Sequence, residues 1–263
     1  MKRDNSSIKE IEALLCGISS PYQAKTYLDL KKVDRDLTRI KPQDEVMIES
    51  GAGLCLDLLF WVGKKVRLHG LAVDLDKKAL KIAKSWSKEL GVRSRMDFCL
   101  GDALHQPLRS GQADVSVSFS SIEHLPDRRL VQQWINEMSR TTKEDGTVVL
   151  TTSNRLWPSY MILQILKRAN RAWGIDEFFF HPYDLRSMIK KAGLCPVAFG
   201  GRGLYYYNLI PPGFPGAAHL HMGFVRLLNV FQSFPFFSIV SGRIGFRAVK
   251  KCTDQAPDQE ENM

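Results

Sequence analysis

From residue 45 onward the chain alternates short apolar runs with segments whose apolar residues recur every three or four positions. The runs are EVMIE (45–49), LHGLAVD (68–74), RMDFCLGD (95–102), ADVSVSF (113–119) and GTVVLTT (146–152). Runs of this length, closed by Gly, Asp, Ser or Asn, predict strands. Between them, Ala79, Ile82, Ala83, Trp86 and Leu90 share one helical face, with Asp76 as its N-cap and Gly91 as its stop. Leu130, Trp134 and Met138 recur every fourth position and predict another helix. Strands alternating with amphipathic helices specify a parallel sheet covered on both faces. The first 40 residues carry helical periodicity without a strand. Past residue 155 the pattern loosens. It predicts a helix over 156–173, a second over 181–194 with Leu185, Met188, Ile189 and Ala192 inward, and strands over 195–209 and 243–249. Between those strands lies an inserted helix with Leu220, Phe224, Leu227, Leu228 and Phe231 on one face.

In a parallel sheet, ligands bind outside the carboxyl ends of the strands. Here those ends are polar: Glu49, Asp74, Asp102, Ser118 to Ser120, and Thr152 to Asn154. After the first strand comes Glu49-Ser50-Gly51-Ala52-Gly53, whose paired glycines permit a tight turn and close approach to a ligand. Asp74 closes the second strand, 21 residues after Gly53, where a carboxylate can accept two ribose hydroxyls. Asp102 closes the third, where an adenine edge would lie. A dinucleotide site wants another glycine three residues past the second, and Leu56 stands there. An acid before the glycines repels pyrophosphate and suits the ammonium of a methionine moiety. The pattern therefore favours S-adenosylmethionine over NAD, and an NAD-dependent reductase ranks last.

IESGAG, AVDLDKKALKIA, GDA and ADVSVSFSSIEHLPD, in this order and spacing, resemble the class I S-adenosylmethionine-dependent methyltransferases of type 11 over roughly residues 40–195. The resemblance implies a Rossmann-like α/β fold with a seven-stranded, mostly parallel sheet, helices on both faces and the last strand antiparallel. It implies cofactor contacts at Glu49, Gly51 and Gly53 for the methionine end, Asp74 for the ribose, Asp102 and Ala103 for the adenine, and Ser118, Phe119 and Ser120 for the methyl side. S-adenosylhomocysteine would be the product. Many members carry a glycine two residues after Gly53, assigned here to helix packing; this chain has Cys55. TTSNR (151–155), FFFHPYDLRSMIKKAGL and the glycine–tyrosine strand from Gly203 to Tyr207 are similar to the O-methyltransferases of ubiquinone biosynthesis, whose acceptors are lipophilic phenols.

Methyl transfer to a hydroxyl needs alignment, exclusion of water and a base. Imidazole suits neutral pH, so His124, past the fourth strand, and His181, opening the last helix, are the catalytic candidates. Each has a plainer role to set beside this, His124 in hydrogen bonding and His181 in starting a helix before Pro182. Tyr160, Tyr183 and Tyr205 are candidates to line a pocket, although most tyrosines only pack. His219 and His221 lack nearby acids, so no metal site is expected. Glu123 and the Lys77–Lys78 pair read as solvated or capping groups.

The composition changes one thing. Among 263 residues, 37 Lys and Arg face 28 Asp and Glu, for a net charge of +9. Residues 1–153 contribute +3, 154–252 contribute +10 and 253–263 contribute −4. The excess falls in the stretch that would face the acceptor, mixed with Tyr160, Ile165, Leu166 and Trp173 on one expected helix. That mixture suits an amphiphilic acceptor and peripheral contact with an anionic membrane, and disfavours nucleic acid for want of a binding module. Five scattered cysteines without a CxxC pair indicate reduced thiols, the start lacks a signal-peptide run, and Met222–Ser241 is too polar to span a bilayer, so the expected location is cytoplasmic. The expected organisation is a helical cap segment at 1–40, a methyltransferase domain at 41–252 with cap insertions about 155–180 and 210–240, and a disordered acidic tail at 253–263. The expected activity is methyl transfer to a small or lipid-linked acceptor, at oxygen. Alternatives are an RNA or protein methyltransferase, or a catalytically silent module that binds the cofactor.

Overall fold

The computed structural model describes residues 2–17, 28, 31–158, 160, 178–203 and 235–251. Its centre is a seven-stranded sheet: β1 (Val46–Ser50), β2 (His69–Asp74), β3 (Met96–Leu100), β4 (Ala113–Phe119), β5 (Thr142–Ser153), β6 (Leu194–Arg202) and β7 (Arg243–Lys250). The order across the sheet is β3-β2-β1-β4-β5-β7-β6, with β7 antiparallel to both neighbours and the first five strands parallel. The fold is the seven-stranded α/β architecture expected from the sequence. The strand order reverses between β1 and β4, which opens a crevice at their carboxyl ends.

Among the described residues the helices are α1 (Lys2–Cys16), α2 (Lys32–Leu37), α3 (Leu56–Lys64), α4 (Lys77–Glu89), α5 (Arg128–Thr141), α6 (Pro182–Lys191) and α7 (Pro235–Ile239). Asp76 caps α4 by accepting from the Lys78 and Ala79 amides, as predicted, and Asp127 caps α5 through Arg129 N. The buried face of α4 is Leu80, Ala83, Trp86 and Ser87; Ile82, assigned to that face from its spacing, is exposed. Leu185, Met188 and Ile189 of α6 are buried as expected. Two apolar layers result: one of α1, α2 and α3 side chains against Met47, Val115, Val117 and Val149, the other of Trp134, Ile135, Met138, Leu185 and Ile189 against Val148, Leu150 and Phe246.

Residues 31–38 are built into the sheet rather than laid over it. Asp34 is fully buried, accepts from Thr151 Oγ1 at 2.7 Å, and pairs with Arg243 of β7 at 2.8 Å and with Lys31 at 3.2 Å. Gly200 and Gly245, opposite each other on β6 and β7, clear the seat for α2; a Cβ on Gly245 would stand 2.8 Å from Leu37 Cδ1. A second node sits at the tip of β5. Asn154, fully buried, donates from Nδ2 to Ile239 O (2.7 Å) and Ser241 O (2.6 Å) and accepts from Leu156 N. Its backbone bridges Phe180, and Gly242 N donates to Gly203 O. The described residues that border both expected insertions therefore meet at one point. The expected helices over 156–173 and around 220–231, with Tyr205, His219, His221 and the tail, lie outside the described residues apart from 156–158 and Tyr160.

Candidate active site

The crevice between β1 and β4 is a cleft of about 600 Å³. It is lined by Glu49, Gly51, Gly53, Asp74, Asp102, Ala103, Phe119, Ser120 and His124, all nine of them residues singled out in the sequence. Backbone geometry explains the glycines. Gly51 has φ +66°, and a Cβ there would come within 2.7 Å of Ser121 Cβ and 2.8 Å of Trp134. Gly53 has φ +49° and would project a Cβ into open space, so its bareness keeps the cleft floor clear. Cys55 also takes a left-handed conformation, φ +56°, at the N-cap of α3, and is buried. The glycine common at this position in the resembling proteins is thus explained by backbone conformation, not by helix packing as expected. Cys55 tolerates the turn at about 1–2 kcal/mol of strain.

Asp74 faces the glycine turn. Its Oδ2 accepts from Gly53 N at 2.7 Å and its Oδ1 from Asp76 N at 2.7 Å, so the carboxylate is aimed by two backbone amides. Asp102 is half-exposed at the neighbouring strand end and accepts from Leu104 N at 2.9 Å. Ala103 is buried beside it.

Glu49 lies at the floor, 3% exposed, its Oε2 accepting from Leu58 N at 3.3 Å. Burial pushes its carboxyl well above the ordinary carboxylate range, and the nearby Asp57 pushes it further; Lys31 opposes both. Lys31 pairs with Asp57 at 2.7 Å and sits 5.1 Å from the Phe119 ring centre. It is a cleft residue that the sequence reading missed, because periodicity before residue 41 gave no hint of which side chain reaches the sheet. Among the described residues lining the cleft, Asp74, Asp76 and Asp102 outnumber the one cation, Lys31. Such a site attracts a positively charged ligand and repels pyrophosphate.

Ser118 departs from expectation. It is fully buried and does not line the cleft. Side chains alternate along β4, and Ser118 lies beside Leu150 on the α5 face, as does Ser116, whose Oγ accepts from Thr142. The serines at the cleft are Ser120 and, beyond it, Ser121, which donates to Gly51 O at 2.8 Å. One more step along the same SFSS run reaches it. Trp134, read from the sequence as core, also closes one wall.

The two histidines part company. His124 ends a 3₁₀ turn, Ile122–His124, and stands exposed at the cleft. His181 is the N-cap of α6: its Nδ1 accepts from Tyr183 N at 3.3 Å and its ring stacks on Tyr183. It is not among the cleft residues, and Tyr183 points to solvent, 70% exposed. Glu123, expected to be solvated, is 2% exposed; it accepts from Thr152 Oγ1 at 2.9 Å and fixes the His124 turn to the end of β5. No cluster of metal-ligating side chains occurs among the described residues.

Comparison with known proteins adds likenesses in sequence and in fold. Residues 48–150 match the family model of a methyltransferase domain. Ajmaline N-methyltransferase of Rauvolfia serpentina is 30% identical over 111 residues, 42% of this chain and 36% of that protein. Ubiquinone biosynthesis O-methyltransferase of Cupriavidus pinatubonensis (strain JMP 134 / LMG 1197) is 28% identical over 172 residues, 62% of this chain and 64% of that protein. The chain thus matches less than two thirds of the length of either relative. In fold it is similar to geranyl diphosphate C-methyltransferase of Streptomyces coelicolor A3(2), solved with Mg2+, geranyl diphosphate and S-adenosyl-L-homocysteine. That likeness has a TM-score of 0.61 at 14% identity and covers 89% of this chain and 82% of that one.

Proposed function

We propose that this chain, a class I methyltransferase by its sheet and by the family model over residues 48–150, binds S-adenosylmethionine in the β1–β4 cleft. It transfers the methyl group to a small or lipid-linked acceptor, at oxygen. The observation that carries the reading is the union of a bare glycine turn with carboxylates at three consecutive strand ends, Glu49, Asp74 and Asp102. The oxygen acceptor rests on the O-methyltransferase among the relatives.

The cofactor, when bound, supplies a methyl group on a positively charged sulfur. The chain's own residues hold and shield it. Asp74, already aimed by Gly53 N and Asp76 N, accepts the ribose hydroxyls; Asp102 and Ala103 bound the adenine end. Glu49 offers negative charge to the methionine end. Phe119, Ser120 and Ser121 form the wall toward the methyl. His124, at the cleft mouth, takes the acceptor's hydroxyl proton at its imidazole. His181 supports the acceptor side by starting α6. Among the described residues no helix is long and apolar enough to cross a membrane. We assign the enzyme to the cytoplasm, with peripheral membrane contact where the acceptor is lipid-linked.

Glu49 makes the binding pH-dependent. Burial raises its carboxyl well above the ordinary carboxylate range, while a cationic ligand favours the ionised form, so affinity falls as pH drops through Glu49's raised range. Glu49→Gln should weaken S-adenosylmethionine by about ten- to a hundredfold at pH 8 and flatten this pH response in calorimetry, the loss of a hydrogen bond to a charged group. The empty variant should be more stable than wild type at pH 8. The native fold favours neutral Glu49, a stability present below the ordinary carboxylate range and lost as pH rises through the raised value. Thermal unfolding at pH 8 checks it.

The reaction itself is tested by incubating the enzyme and cofactor with a cell extract. One compound should gain 14 daltons, with S-adenosylhomocysteine formed in equal amount. Cofactor binding without any methylated product would leave the silent module as the correct description.

A further inference from the structure

A charge balance taken over long segments conceals a local concentration at the edge of the sheet. Between residues 77 and 95 there are seven Lys and Arg and one acid, Glu89. Five of the cations lie on α4, which packs on the edge strand β3 and its neighbour β2. Lys77, Lys81, Lys84 and Lys88 recur at i, i+4, i+7 and i+11, so they form one stripe about 16 Å long. All four are exposed, as is Lys78, and among the described residues none of the five has a carboxylate within ion-pair distance.

This arrangement works against the helix that carries it. Lys77 and Lys78 stand in the first turn, at the positive end of the helix dipole, with the N-cap Asp76 before them and no acid inside the turn. Lys77 with Lys81, and Lys84 with Lys88, are like charges at i,i+4, which destabilise a helix. An external polyanion would relieve both. Apolar side chains flank the upper end of the stripe: Leu75, 71% exposed, joins β2 to α4, and Leu100, 57% exposed, lies beside Asp74 at the end of β3. Aromatic rings that would stack on unpaired bases are turned inward or covered: Trp86 is buried and Phe98 lies under Arg93. Lysines beside exposed leucines fit phospholipid headgroups with the acyl boundary beneath.

We propose that the α4 lysine stripe, with Leu75 and Leu100 at its end, is a docking surface for an anionic lipid bilayer. The surface is built from residues 75–100, a stretch of sequence separate from 160–173, and its occupancy does not depend on the identity of the methyl acceptor. It is tested with the full chain sedimented with vesicles of phosphatidylcholine containing about 30% phosphatidylserine, and with phosphatidylcholine alone. Wild type should bind the anionic vesicles at about 0.1 M salt, release at about 0.5 M, and ignore the neutral ones. Each lysine at an anionic surface contributes about a fivefold change in partitioning, so the triple variant Lys81→Glu, Lys84→Glu, Lys88→Glu should bind at least about a hundredfold more weakly. S-adenosylhomocysteine affinity and the thermal midpoint of that variant should match wild type, which separates a failed surface from a failed fold or a failed cofactor site. Wild type that ignores anionic vesicles, or a triple variant that binds them equally well, overturns the proposal. Tighter binding to poly(U) RNA than to the vesicles at the same salt would overturn it in favour of nucleic acid.

Discussion

Asp74→Ala should lower the affinity for S-adenosylhomocysteine by at least about a hundredfold, the largest functional loss expected from one substitution. Hydrogen bonds to a charged group contribute about 1.5–3 kcal/mol each, and this carboxylate would meet two ribose hydroxyls. It also does structural work beforehand. With Oδ2 on Gly53 N and Oδ1 on Asp76 N, both at 2.7 Å, it ties the glycine turn to the start of α4. Removing it frees two amides at the cleft and loosens the turn that must approach the ligand. Asp74→Asn keeps an acceptor oxygen and loses the charge, so its affinity should fall between the two, about tenfold below wild type. The fold should survive both changes, because Asp76 remains to cap α4. Calorimetric titration of the three proteins orders them. Near-native affinity in Asp74→Ala would remove Asp74 from the ribose site.

Asp34→Ala should give the largest loss of stability, about 3–5 kcal/mol, because it withdraws one buried carboxylate from two buried cations, of which Lys31 retains Asp57 at 2.7 Å. Arg243 is 6% and Lys31 5% exposed, and Asp34 stands 2.8 Å from the first and 3.2 Å from the second. Without it Arg243 keeps the Thr151 hydroxyl, at 3.2 Å, as a neutral partner. A chain of this size shifts its unfolding midpoint by about 2–4 °C per kcal/mol, so roughly 10 °C should be lost in a thermal scan. A change within about 1 °C would show that residues 31–38 are dispensable to the sheet, as a detachable cap would be. The double variant Asp34→Leu, Arg243→Leu should recover part of the loss by removing charge from both partners.

The contrast between these residues shows what was legible in the sequence. Asp74 was found from its distance to the glycine turn and its place at a strand end, because the backbone of a parallel sheet fixes where strand ends go. Glu49, Gly51, Gly53, Asp102 and Phe119 were found the same way, and all line the cleft. Ser118 failed because it is still inside β4, on the face opposite Phe119, whereas Ser120 and Ser121 lie past the strand end and line the cleft. Asp34 and Lys31 were invisible. Their partners Thr151, Arg243 and Asp57 lie 117, 209 and 26 residues away, and no periodicity in a six-residue helix encodes contacts of that range. His181 looked catalytic because His-Pro opens a helix near the expected acceptor side; the same dipeptide turns out to describe an N-cap. Glu123 looked solvated because acids usually are, and only the tip of β5 shows the hydroxyl it needed. Ile82 obeyed helical spacing and still faces solvent, because α4 lies on the sheet's edge and buries a narrow stripe.

The claim that orders all of this is that the β1–β4 cleft binds an adenosyl-sulfur cofactor and not a dinucleotide. Titrating the purified chain with S-adenosylhomocysteine, and separately with NADH, in one calorimetric experiment tests it most directly. The account predicts a single saturable site for S-adenosylhomocysteine and no heat of binding with NADH. Saturable binding of NADH with none for S-adenosylhomocysteine would contradict it.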